Sequence, residues 1–377
     1  MLASMKFSVM ADIAGIGTDA NWGRMLGQFK WVYAALSPVG GLIADRFSRR
    51  WTICGSLFAW SAITLWTGQV TSYESLLWSR SLMGMSEAFY FPAALALLSD
   101  HHAGATRSRA VGFHQMAVYS GVILGGFGGF VADAPQLGWR FAFTLCGIVG
   151  MAYALPLAAT LRDAPRTAPS ESGTPLARAL GDLLSNRSFL LLVAYFTLPA
   201  MAAWVVRDWM PAILKREFKI QQGTAAFAAT SSWQVAAIFG ALGGGWLADR
   251  WSRQHVRGRM FASAVGMGFI IPAIYGVGNA PSLAVAVIFL ALFGIGWGFF
   301  DCNNMPILCQ ITRPELRATG YGLMNLVSLS FGGVADWLFG RLRDAQVPLN
   351  AIFTTFAGIA LVSVVLVLSI RPRPESR

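Results

Sequence analysis

The chain alternates long apolar runs with short, mostly basic polar loops, and most of the runs reach the ~20 helical residues that cross a ~30 Å hydrocarbon core. Cutting on that length predicts helical spans at 24–45, 51–70, 75–99, 108–132 and 139–160, then 188–212, 224–248, 259–278, 283–309, 316–340 and 348–370. Those are eleven complete spans. Met1 to Ile13 reads as the outer half of a twelfth, because thirteen residues rise only ~20 Å, and the natural start is expected upstream. Residues 161–187 are polar, basic and Pro-containing, and longer than the other loops. They predict a cytoplasmic linker, with a short surface helix at Leu176 to Leu184, between an N-terminal bundle (1–160) and a C-terminal bundle (188–377).

The junction GLIADRFSRR, Gly41 to Arg50, has a second copy in GWLADRWSR, Gly245 to Arg253. Asp45 and Asp249 each follow a Gly by four residues and lie 204 positions apart. A second echo sets Arg109-Ala110-Val111-Gly112-Phe113 against Arg317-Ala318-Thr319-Gly320-Tyr321, with Thr312 and Glu315 placed as a capping box ahead of the later copy. The same helix–loop junctions in both halves mark a duplicated membrane bundle. Gly121, Gly125, Gly126, Gly128 and Gly129 offer small-residue faces for close helix packing.

Composition agrees with the pattern: 55% of the 377 residues are hydrophobic, 12% are charged and the mean hydropathy is +0.54. This is an all-α integral membrane protein. The net charge of +11 does not point to nucleic acid, since the basic residues are spread over loops between spans rather than gathered on one face. Well over half of the 29 Lys and Arg fall in alternate loops and the C-terminal tail, which places those loops and the C-terminus in the cytoplasm. Cys54, Cys146, Cys302 and Cys309 lie in apolar runs with neither metal-finger nor disulfide spacing and read as packing thiols. No nucleophile elbow, phosphate-binding loop or paired-His metal motif occurs, so neither an enzyme nor a cofactor is expected.

Twelve spans in two halves, the G-x-x-x-D-R-x-x-R-R junction with its echo, and the Arg-x-x-Gly opening at Arg109 together resemble the major facilitator superfamily. Ser48 and Ser252 stand where that loop signature normally has Gly. Three stretches are similar to the anion:cation symporter group: RSLMGMSEAFYFP from Arg80, GWRFAF from Gly138 and WMP from Trp209. The resemblance implies a monomeric transporter of organic anions such as sugar acids, usually proton-driven, working by alternating access of two six-helix bundles. It also implies an Asp-Arg pair on the first span, upstream of Met1.

Ionisable residues at bilayer depth are costly and are therefore functional candidates. Arg80 and Glu87, seven residues apart, fall on one face of their span with ~10.5 Å of rise between them. Glu87 lies near mid-span, where it suits a proton carrier, and the resemblance implies that role for it and anion placement for Arg80. An interhelical pair that only orders the bundle stays open. Lys6 and Lys30, counted from the outer ends of their spans, come out at a depth similar to Arg80 and would suit an incoming carboxylate, although a Lys so placed can also snorkel. Tyr33 matches a tyrosine that lines the sugar-acid site in the resembled group. In the second half Trp233, Gln234, Asp301, Asn303 and Asn304 supply polar groups for sugar hydroxyls or for interhelical hydrogen bonds. His114 is a candidate proton relay. Gly41, Asp45, Arg46, Arg49 and Arg50, with Gly245, Asp249, Arg250 and Arg253, form the repeated loop, which the family pattern makes a latch and charge alone makes a topology signal.

A proton-coupled importer of a small organic anion is the expected function. Exchange of a sugar phosphate for phosphate is an alternative, as is a membrane sensor. A drug antiporter is disfavoured because no Pro occurs between Arg107 and Asp133.

Overall fold

The computed structural model describes residues 1–102, 107–163, 176–313 and 316–372. Among them all regular structure is helical. After a 3-10 turn at Leu2–Met5 come α1 (Lys6–Asp12), α2 (Asp19–Arg46), α3 (Arg49–Thr67), α4 (Tyr73–His101), α5 (Arg107–Gly126), α6 (Gly128–Asp133) and α7 (Gly138–Thr160). There follow α8 (Leu176–Leu184), α9 (Arg187–Phe218), α10 (Gln222–Ser252), α11 (Gly258–Gly278), α12 (Leu283–Ile311), α13 (Arg317–Asp344) and α14 (Leu349–Ser369). Nine described helices are long and apolar enough to cross a membrane; α2 and α3 are not among the nine.

Local chemistry sets the helix starts. The hydroxyls of Thr18, Ser48, Ser72 and Ser282 accept main-chain N–H groups from the first turns of α2, α3, α4 and α12. At α2 the helix begins at Asp19, five residues before the apolar run suggested. The Asp344 carboxylate receives the Asp19 and Ala20 N–H groups at 2.9 and 2.7 Å, an acid at a helix N-terminus. The predicted span 108–132 is two helices, α5 and α6, divided at Phe127 within the run of glycines that weakens the helix there. Gly129 lets α6 touch α10, since a Cβ on it would stand 2.9 Å from Gly223 Cα. The expected capping box is corrected at Thr312, which ends α12 and donates its hydroxyl to Leu308 O at 2.6 Å; Glu315 lies outside the described residues.

The chain divides into two compact units. The first comprises Met1–Pro169 with Asp208–Phe227 and Asp336–Asp344; the second comprises Ser170–Arg207, Ala228–Ala335 and Ala345–Arg377. α9 and α13 therefore each contribute to both, changing unit at Asp208 and at Asp336.

In the first unit α2 packs on α4, and α3 on α4 and α7. Backbones meet at glycines: a Cβ on Gly84 would overlap the Phe29 carbonyl, and one on Gly40 the Ala88 carbonyl. The α13 segment meets α2 the same way, Gly23 against the Asp336 carbonyl and Gly340 against that of Asp19. Gly84→Leu is expected to push α2 off α4 and cost ~1–3 kcal/mol by overpacking, read as a lower unfolding temperature in detergent; unchanged melting would show that the two helices tolerate separation.

In the second unit α11 packs on α12 and α14, and Gly294 and Gly298 of α12 sit against the Trp233 and Ala237 carbonyls of α10. Both units present large apolar side chains outward, among them Leu124 and Leu155 in the first and Phe239, Leu242 and Ile288 in the second. Apolar surface on that scale belongs against lipid.

Candidate functional site

The first unit holds a connected set of buried charges. Lys30 lies eleven residues into α2, ~16 Å from the Asp19 end. Asp336 lies eight residues before the end of α13 and Asp208 ten before the end of α9, so all three share a level. The Gly23 contact brings α13 close, and a helical side chain leans toward its own N-terminus, so Lys30 reaches back to that level. Its ammonium contacts Asp336 and also Asp208, the latter at 2.5 Å; side-chain exposure is 2% for Lys30, 0% for Asp336 and 15% for Asp208. The other oxygen of Asp336, Oδ1, accepts the Trp209 indole N–H at 3.2 Å.

Trp209 connects this level to a second one. Lys6 Nζ stands 4.1 Å from the centre of the Trp209 ring, a cation–π contact, and 2.6 Å from Asp19 Oδ1. Arg216 grips the same carboxylate through both terminal nitrogens, Nη2 at 3.0 Å from Oδ1. The expected placement of Lys6 and Lys30 is therefore corrected. Buried carboxylates engage both ammoniums. The depth count began at residue 24, where the apolar run begins, whereas α2 begins at Asp19.

Arg80 and Glu87 are both half-buried on α4. The Arg80 guanidinium lies 4.6 Å from the centre of the Phe29 ring. Phe29 in turn neighbours Tyr33 at 6.0 Å, and Gly84 gives the room for this packing. Arg80, Phe29 and Tyr33 thus form one patch, with Glu87 two helical turns further along. His114 of α5 stacks on Tyr90 of α4, Nε2 and the phenol oxygen 3.5 Å apart.

The polar groups of the second unit do not form one cluster. Trp233 packs with Phe293 and Trp297, at ring separations of 5.8 and 6.4 Å, and its neighbour Gln234 is buried, its Oε1 without a partner among the described residues. α12 runs parallel to α10 and pairs Gly294 with Trp233, so Asn303 and Asn304 lie about two turns or more below that level. Asn303 donates to Phe299 O at 2.8 Å, whereas neither side-chain atom of the 1% exposed Asn304 has a partner among the described residues. Buried amides normally find partners, which makes Asn304 a position for a hydroxyl-bearing ligand or water. Asp301 is half-buried on the same helix.

In the repeated loops, the side chains of Asp45, Arg46 and Arg109 lie outside the described residues. Arg49 donates to Ala96 O at 3.3 Å, Arg50 donates to Ala158 O, and the Arg50 N–H is held by Asp163 at 2.8 Å. Asp249 pairs with Arg259 at 3.1 Å, and Arg250 lies over Trp246. Among the described residues no three His, Cys, Asp or Glu gather to hold a metal ion.

The family model described as Major Facilitator Superfamily matches residues 2–335. The chain belongs to the major facilitator superfamily. The chain is 26% identical to protein spinster homolog 1 of Xenopus tropicalis, over 87% of the chain and 66% of that protein, so it spans just under two thirds of that relative. It is likewise 26% identical to an MFS-type efflux pump of Mycolicibacterium smegmatis, covering 90% of the chain and 78% of the pump. The same identity holds for a D-galactonate transporter of Escherichia coli, covering 88% and 80%. Among solved structures, a bacterial homolog of the human lysosomal transporter spinster, inward-facing and unoccupied, superposes with a TM-score of 0.73 over 97% of this chain and 92% of that one, at 20% identity.

Asp19, Asp208, Trp209, Arg216 and Asp336 were not among the candidate residues. Asp208 and Asp336 fall inside the predicted spans 188–212 and 316–340, so the rule that selected Arg80 and Glu87 also selects them. Asp19 and Arg216 carried no such signal, since the apolar-run boundaries placed both in loops.

Proposed function

We propose that this chain is a proton-coupled symporter that imports a small organic anion of the sugar-acid class by alternating access. The reading rests on Arg80 and Glu87 half-buried on α4, with Arg80 seated on Phe29 beside Tyr33. A guanidinium held flat against an aromatic face still offers its N–H fork to a carboxylate, and an acid two turns away can take up the proton that accompanies the anion. The D-galactonate transporter among the relatives carries a ligand of this class by name. With the basic loops in the cytoplasm, the Asp19 end of α2 faces outside and the C-terminus lies inside.

The test is uptake into proteoliposomes of labelled D-galactonate, a neutral hexose and a hexose phosphate, with and without an inward proton gradient. Gradient-driven uptake of the sugar acid is expected, and Glu87→Gln should remove the gradient dependence while counterflow survives. Gradient-independent uptake that the variant leaves unchanged would reject Glu87 as the carrier. Proton-opposed extrusion would favour the antiport direction, which the efflux pump among the relatives makes the second reading.

A further inference from the structure

We propose that two copies of a Gly-x-x-x-Asp turn, Gly129 to Asp133 and Gly340 to Asp344, are matched clamps that hold the Asp19 end of the first unit closed, linked to each other through α1. The two glycines lie 211 residues apart in the sequence, and so do the two acids. Asp133 is the last residue of α6 and Asp344 the last of α13. In each copy the glycine lets its helix lie against the start of another. A Cβ on Gly340 would overlap the Asp19 carbonyl of α2, and one on Gly129 would stand 3.1 Å from the Gln222 carbonyl oxygen of α10. One turn later the acid closes over that start. Asp344 accepts the Asp19 and Ala20 N–H groups at 2.9 and 2.7 Å. Asp133 accepts the Gly223 N–H at 2.8 Å and the Gln222 side-chain amide at 3.1 Å.

Helix dipoles explain why acids stand there. A carboxylate at the C-terminal end of its own helix meets the negative pole and is unfavourable, whereas the start of a neighbouring helix offers a positive pole and free N–H groups. Neither acid therefore stabilises the helix that carries it, and each favours the docked arrangement. Both are exposed and end their spans, so opening returns each carboxylate to water and the contact is reversible.

α1 joins the two clamps. Asp19 holds Lys6 at 2.6 Å. Gln222 holds the next two residues, accepting the Phe7 N–H at 2.9 Å and donating to Ser8 Oγ at 2.8 Å. The starts of α2 and α10 thus grip three consecutive residues of one short helix, and loosening either start loosens the other. Under the alternating access proposed above, on which the role of the clamps rests, both release together when this end opens.

Hydrogen–deuterium exchange of the reconstituted full chain, without substrate or gradient, tests the pairing. Asp344→Ala should speed main-chain exchange ~5-fold at the start of α2, the effect of losing a helix cap, and should also speed it at the start of α10. Asp133→Ala should act at the start of α10 and reach the start of α2. Asp344→Asn and Asp133→Asn should each do less, since an amide oxygen still accepts a hydrogen bond. Ser282→Ala removes the cap of α12 in the second unit and should speed exchange only at the start of that helix. Exchange that rises only at the start an alanine variant touches, or at neither, overturns the proposal, as does a Ser282→Ala protein that loosens α2 and α10 equally. Uncoupled clamps would leave the symport reading standing, and failed sugar-acid uptake would leave the exchange result standing.

Discussion

Lys30→Met is expected to destabilise the protein by ~3–5 kcal/mol, the range seen when one partner of a buried ion pair is removed. The substitution leaves Asp208 and Asp336 facing each other around an apolar side chain, in a space that Gly23 keeps tight by holding α13 against α2. Adding Asp208→Asn and Asp336→Asn to Lys30→Met should recover most of the loss, amides being cheaper to bury than unpaired charges. Thermal unfolding in detergent, followed by intrinsic tryptophan fluorescence, reads both effects. A Lys30→Met protein that melts with the wild type would show that the cluster holds nothing together.

Arg80→Ala is expected to raise the KM for a carboxylate substrate ~10- to 100-fold, equivalent to losing one hydrogen bond to a charged group. Arg80→Lys should restore only part of this, because an ammonium neither lies flat on Phe29 nor presents a two-pronged fork. Concentration-dependent uptake of D-galactonate in all three forms makes the comparison. Equal losses for an anionic and a neutral sugar would mean that Arg80 orders α2 against α4 and does not meet the ligand.

Helix positions and family were legible because they depend on local signals. Apolar runs fix where helices cross, and the duplicated junction marks the bundle plan. The surface helix Leu176–Leu184 was found at its predicted limits, since its apolar residues recur at helical spacing within a polar segment. What the runs could not give was the end of a helix that starts among charges. α2 begins at Asp19 because Thr18 and Asp344 satisfy its first N–H groups, and Asp344 lies 325 residues away in sequence. The same distance hid the cluster. A lone Lys30 in a span reads as a cation awaiting an anion, and only folding places the acids of α9 and α13 against it. Arg80 and Glu87 were easier to find, since one helix carries both.

α9 runs for 32 residues, ~48 Å at helical rise, against a hydrocarbon slab of ~30 Å. Roughly a third of it must stand in the headgroup zone or be absorbed by tilt. Arg216 stands two residues from its end, ~12 Å of helical rise beyond Asp208. Longer acyl chains would draw the Arg216–Asp19 contact into oil, and shorter ones would bring water nearer to Asp208. Bilayer thickness thereby becomes a control on how firmly these charges hold, set by the host membrane rather than by the chain.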